Sequence, residues 1–237
     1  MQPPTTPPTL RPLGSGPLAR GALVVAPLLI CAGEVLHPAR SNDPARQLAI
    51  VASHRGAWYL SHLLLFVGVA LTIPAIVGIT SLLRSRAPRA AAIGGALAAT
   101  GAVCFAGLLT IGFVVWQMAA PGADRPQMAA LFTRLFHAPG FVVPFQAVPL
   151  LFAVGMVVLA RGLSRTGVCR GWSGWLLGGG AVALSLVGIV PGSAYAITAS
   201  LVFAAGMIPM SRTLRAMSVP APVPASAGAR LLQGVAR

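Results

Sequence analysis

Glu34-x-x-His37 and His54-x-x-x-Trp58-x-x-x-His62 bring a carboxylate, three imidazoles and an indole to the junction of two apolar runs. A carboxylate and an imidazole three positions apart on a helix project about 60° from one another. That spacing serves metal-binding pairs in helical bundles, and an imidazole oriented by a carboxylate suits zinc or iron. His54 and His62 cannot share a metal from one straight helix, because eight residues separate them by about 12 Å along the axis and about 80° around it. A metal site therefore needs His62 with groups from other segments, and Glu34, His37 and His137 are the candidate ligands. A haem held by His62 together with His37 or His137 is the other form of this chemistry.

Gln117, Gln146 and Tyr195 make a second candidate set, for a polar binding site. Gln146 stands between Pro144 and Pro149, and proline-broken membrane helices free carbonyls that carriers use. Plainer readings compete. Glu34 and His37 fit a wet headgroup layer, Trp58 and Tyr59 fit an aromatic belt, His54 fits an interfacial loop, and Gln146 fits a simple proline kink. His62 resists the plain reading, since it lies beyond the belt and inside the apolar run. Glu34 needs a partner if it faces the protein, and His62 or an arginine such as Arg55 could supply it.

The elements that must position these groups are apolar helices. Hydrophobic residues make up 56% of the 237-residue chain and charged residues 8%, against about 25% charged in soluble domains. Mean hydropathy is +0.82. With about 20 apolar residues per crossing, the runs at 22–36, 56–83, 90–118, 141–160, 172–190 and 194–210 predict an all-α polytopic membrane bundle of six transmembrane helices. The bundle spans residues 21–215, with loose tails at 1–20 and 216–237. The first run reads as a retained helix rather than a cleaved leader. Ile30 precedes Cys31 where a lipoprotein box needs a small residue, and no clean cleavage site follows. Residues 38–55 read as a loop. Met128, Leu131, Phe132, Leu135 and Phe136 recur at helical spacing, which predicts a short interfacial amphipathic helix. Asp43 and Asp124 read as helix caps or arginine partners. The small faces Gly94, Gly95, Gly101, Gly107, Gly112 and Gly174, Gly178, Gly179, Gly180 allow close helix approach, within the chain or in a homo-oligomer.

The net charge of +14 comes from 17 basic residues, all arginine. They sit at the ends of apolar runs rather than on one face, which argues against nucleic acid and for the positive-inside rule. Along the six-helix path, twelve arginines fall on one side and five on the other, so both termini are expected in the cytoplasm of a cell-membrane protein. This places Glu34 and all four histidines on the outer side. Basic turns also favour anionic headgroups of the lipid bilayer. Cys31, Cys104 and Cys169 read as small buried hydrophobes without a disulfide framework. A short parallel repeat is visible, in which an arginine-ended helix is followed by a glycine-rich one, at 56–118 and again at 141–190.

The pattern Gly33-Glu34-x-x-His37-Pro38, then His54-x3-Trp58-x3-His62 and an apolar run ending Leu82-Leu83-Arg84, resembles a group of uncharacterised six-helix integral membrane proteins of GC-rich Gram-positive bacteria. The resemblance implies the six-helix plan and carries no catalytic residue. No G-x-S-x-G, H-E-x-x-H, P-loop or dinucleotide fingerprint occurs, so an enzyme is not the favoured reading. Three functions stay open. They are an accessory or sensory membrane protein, an outer-face metal or haem site, and a small-molecule carrier working as a dimer.

Overall fold

The computed structural model describes residues 16–169, 171–190 and 192–218. Among these the chain is helical throughout, with no strand. The helices are α1 (Pro17–Leu36), α2 (Pro44–Ser53), α3 (Arg55–Leu83), α4 (Pro88–Met118), α5 (Arg125–His137), α6 (Pro139–Val142), α7 (Leu150–Arg165), α8 (Gly171–Ser185) and α9 (Ser193–Ser218). A π-helical turn, Val143–Ala147, joins α6 to α7.

Among the described residues, five segments are long and apolar enough to cross a membrane: α1, α3, α4, the run from α6 through α7, and α9. The expected fifth span, α8, has 15 helical residues, about 22 Å of rise, and dissolves into turns after Ser185 instead of reaching Val190. Residues 17–20 already belong to α1 and α9 continues to Ser218, while 1–15 and 219–237 lie outside the described residues.

The long helices form a ring in chain order. Each packs on its neighbours, α9 closes against α1, and α3 also touches α7 and α9 across the middle. The core runs through this ring from Leu23 and Ile76 to Met156, Leu177 and Phe203. Helices approach closely where glycine permits. A Cβ at Gly101 would run into the Phe152 backbone, and one at Gly206 into the Leu177 backbone. Gly174, Gly178 and Gly180 face α7 and α9 in the same chain.

Two short helices cap one end of the ring. Residues 38–55, expected as a loop, contain α2. Asp43 caps it by accepting from the Ala45 N–H at 3.2 Å, and Pro44 occupies its first turn, where the missing N–H costs nothing. Asp124 caps α5 by accepting from Gln127 at 3.0 Å. Leu48 and Val51 of α2 and Met128, Phe132, Leu135 and Phe136 of α5 form a second apolar cluster over Trp58, Val115 and Met118. Leu131 points away, 37% exposed. The Arg125 guanidinium donates to the Leu48 carbonyl at 3.2 Å and ties the cap helices together. This histidine end of the ring lies opposite the arginine end, where the turns after Leu83 and Arg165 and the last turns of α9 sit.

Candidate functional site

Beneath the cap, three rings meet. His37 follows the last residue of α1, and Trp58 and His62 lie one turn apart on α3. Ring centroids are 4.9 Å apart for His37 and Trp58, 5.0 Å for His37 and His62, and 4.3 Å for Trp58 and His62. All three are buried. The Trp58 indole N–H donates to the Gly112 carbonyl of α4 at 2.8 Å, so the indole is satisfied in a dry site. The His62 ring lies over Gly112, where a Cβ would overlap its Cδ2, Nε2 and Cγ atoms. One glycine thus supplies both the space for His62 and the acceptor for Trp58.

The tautomers follow from the partners. His37 Nδ1 is 2.6 Å from the Pro38 carbonyl oxygen, and His62 Nδ1 is 2.9 Å from that of Trp58. A carbonyl only accepts, so in each neutral ring Nδ1 carries the proton and Nε2 keeps its lone pair. Burial, then the Arg40 charge, then His62, lower His37 from its ordinary 6.5 to about 3, partly opposed by the bond to Pro38.

Glu34, one turn before His37, is buried. Its partner is an arginine, one of the two expected kinds, but it is Arg40 rather than Arg55, and the Arg40 Nη2 donates to Glu34 Oε2 at 2.7 Å. The chain turns back after Pro38 to bring that arginine in. Arg55 serves elsewhere. Its guanidinium donates to the Trp116 carbonyl at 2.9 Å and sits 4.2 Å from the Trp116 ring centre, while the Trp116 indole donates to the Arg55 carbonyl at 3.2 Å. From the first turn of α2, Gln47 Oε1 accepts from the Ser41 N–H of the loop beside Arg40 at 2.7 Å. Its Nε2 is buried without a partner.

The structure therefore divides the proposed metal set. His37 and His62 come together, and Glu34 lies in the same region with its carboxylate held by Arg40. His137 ends α5, exposed, with Nδ1 donating to the Thr133 carbonyl at 2.7 Å. Among the described residues no group of three or more His, Cys, Asp or Glu side chains is placed to hold a metal. The geometry also does not suit a haem between two histidines. That arrangement needs both rings end-on to a macrocycle, whereas these rings touch each other and Trp58 packs on both. His54 is the exposed corner between α2 and α3, with Nδ1 2.9 Å from Ser53 Oγ.

The polar set does not form one site either. Gln146 lies on the π-helical turn, the irregularity its flanking prolines predict, and donates to the Phe136 carbonyl at 3.4 Å. Tyr195 donates to the Ala183 carbonyl at 2.9 Å and links α9 to α8. Gln117 is exposed at the end of α4. Two clefts on the bundle surface lie between α3 and α4 and between α7 and α8, and none of these three residues lines either.

Arg40 was not among the candidate site residues, while Trp58, expected in an aromatic belt, is buried in the stack, and Gly112, expected to allow helix approach, also accepts from its indole. Tyr59, 44% exposed, does sit outside, against Phe113 and Trp116. Compared with known proteins, the chain matches no family model, no curated protein and no solved structure.

Proposed function

We propose that this is a six-span membrane protein of sensory or accessory type, with both termini cytoplasmic, whose His37–Trp58–His62 stack is a proton-responsive latch under the cap. The observation that carries this reading is the stack itself. Two neutral imidazoles and an indole are packed dry beneath α2 and α5, and the one carboxylate beside them is occupied by Arg40. The carboxylate is engaged by Arg40, and the two imidazoles hold their Nδ1 protons on backbone carbonyls. The cluster has a reason to open when protonated. The groups facing His37 are Arg40, which repels an imidazolium, and His62, which also disfavours it. Glu34 is the counter-charge, already used by Arg40.

The sign follows from linkage. Opened or unfolded, His37 titrates near 6.5, and closed it is held to about 3. The closed form therefore has its full stability above pH 6.5. It loses ground as pH falls through 6.5 towards 3, by about 1.4 kcal/mol per pH unit within that window for one proton. Purified protein in detergent should show a falling unfolding temperature and red-shifted tryptophan emission between pH 7 and 4.5, both flattened in His37→Gln. An unchanged pH response in His37→Gln sinks the latch.

The six-span topology, which the suggested likeness to six-helix proteins also implies, needs α8 to cross with help from the turns at 186–190. The uneven distribution of arginine supports it, with Arg84, Arg86 and Arg89 and the helix end at Arg161 and Arg165 on the side of both termini. Reporter fusions at Arg86, Gly188 and the C-terminus should read inside, outside and inside. An outside C-terminus overturns it.

A metal held by His37 and His62 is a second reading. It is favoured by one fact, that both rings donate through Nδ1 and leave Nε2 basic, the orientation that backbone carbonyls impose on ligating histidines. Metal analysis of gently purified protein decides it: a stoichiometric metal lost in His62→Gln supports it, and a metal-free sample removes it.

A further inference from the structure

All three acidic side chains of the protein, Glu34, Asp43 and Asp124, lie at the histidine end. The arginines of the opposite end have no carboxylate side chain within their own half of the bundle. Arg161 and Arg165, one turn apart on α7 and both exposed, border a cleft of about 480 Å³ between α7 and α8. Because α7 runs towards the arginine end and α8 runs back from it, the cleft is graded along its length. The two guanidinium groups belong to its end at the bundle rim, and Val157 and Val182 line its deeper part. Gly178 and Gly179 flatten the α8 wall, and Trp175, 78% exposed, flanks the rim. A cationic rim over an apolar slot matches an anionic amphiphile in both charge and polarity. A second copy of this chain fits poorly, since docking the same ends would set arginine against arginine. The comparable cleft between α3 and α4 is smaller, about 320 Å³, and has one arginine, Arg84.

We propose that the α7–α8 cleft binds one anionic phospholipid. Its phosphate is held by Arg161 and Arg165, an acyl chain lies along Gly178 and Gly179 towards Val157 and Val182, and Trp175 sits at headgroup level. Basic pockets between membrane helices hold anionic headgroups in this way, and paired arginines suit phosphate through multiple charge-assisted hydrogen bonds. The proposal requires that the chain spans a membrane. It is independent of the orientation and of the histidine latch, so failure of either leaves it standing.

Native mass spectrometry of the full-length protein in detergent tests it, with phosphatidylglycerol and phosphatidylcholine of identical acyl chains. The wild type should retain phosphatidylglycerol at least about tenfold better, and R161Q/R165Q should lose about tenfold or more of that retention. Gly179→Leu provides an independent arm, because a Cβ at Gly179 meets nothing within 4 Å. It should fill the slot and lower retention with every arginine in place. Arg84→Gln, a charge removed from the same end, should leave retention unchanged. Unfolding temperatures confirm that each variant is folded. Equal retention of the two lipids, undiminished retention in either R161Q/R165Q or Gly179→Leu, or an equal loss in Arg84→Gln overturns the proposal. So does full displacement by millimolar inorganic phosphate, which would make the ligand a free anion.

Discussion

Gly112→Ala is expected to destabilise the protein by about 1–3 kcal/mol, the cost of forcing extra volume into a packed site. Its first effect should be on Trp58 and His62. Alanine is otherwise the better helix former by about 1 kcal/mol, so an open glycine replaced by alanine should stabilise. Gly21, on α1, meets nothing within 4 Å of an added Cβ and is the matching control. At Gly112 the new methyl group overlaps the His62 ring. The ring must leave, or α4 must move away from α3. Movement of α4 lengthens the 2.8 Å bond from the Trp58 indole to the Gly112 carbonyl. Thermal unfolding in detergent should move in opposite directions for the two variants, and tryptophan emission should shift to the red only in Gly112→Ala. Matching unfolding temperatures would mean that the stack does not depend on α4.

The sequence made the bundle legible because apolar runs bounded by arginine announce membrane helices with little competition. It made α5 legible through five apolar residues at helical spacing. It obscured α2, although the Asp43-Pro44 start is a helix signal. Ten residues with only Leu48 and Val51 aimed at the core carry too little periodicity to stand out from a loop. Trp58 illustrates a deeper ambiguity. An aromatic residue at the end of a span has the same local pattern whether it faces headgroups or a neighbouring helix. Only the position of Gly112, fifty-four residues on, separates the two. His62 is a related case: its burial was legible and His37 stood among its candidate partners, but nothing in the sequence separated His37 from His137. His37 reaches it because α1 ends at Leu36, and no spacing rule sets that register. His137 was grouped with the others by depth alone, and depth does not fix which way the end of α5 points.

Arg40→Ala should be the most damaging single change at this end, and Glu34→Gln much milder, although both break the same pair. The difference lies in burial: the Glu34 side chain is 6% exposed and that of Arg40 28%. Removing Arg40 leaves a carboxylate in a dry site with its one ion-pair partner among the described residues gone, a loss of about 3–5 kcal/mol. Glu34→Gln leaves an amide oxygen for Arg40, and the partly exposed guanidinium can turn to water. The loss should then be about 1 kcal/mol, that of an ordinary hydrogen bond. The double variant Glu34→Gln with Arg40→Ala should be more stable than Arg40→Ala alone, since no buried charge remains to strand. A second readout comes from His37. The Arg40 charge is the second cause of its lowered pKa, after burial. In Arg40→Ala the closed-state value therefore moves up towards 6.5, and the acid loss of stability should begin at the same pH but level off at a higher one. Additive effects of the two substitutions, with an unchanged acid limb, would mean that the pair is too wet to hold the loop after His37 against the bundle.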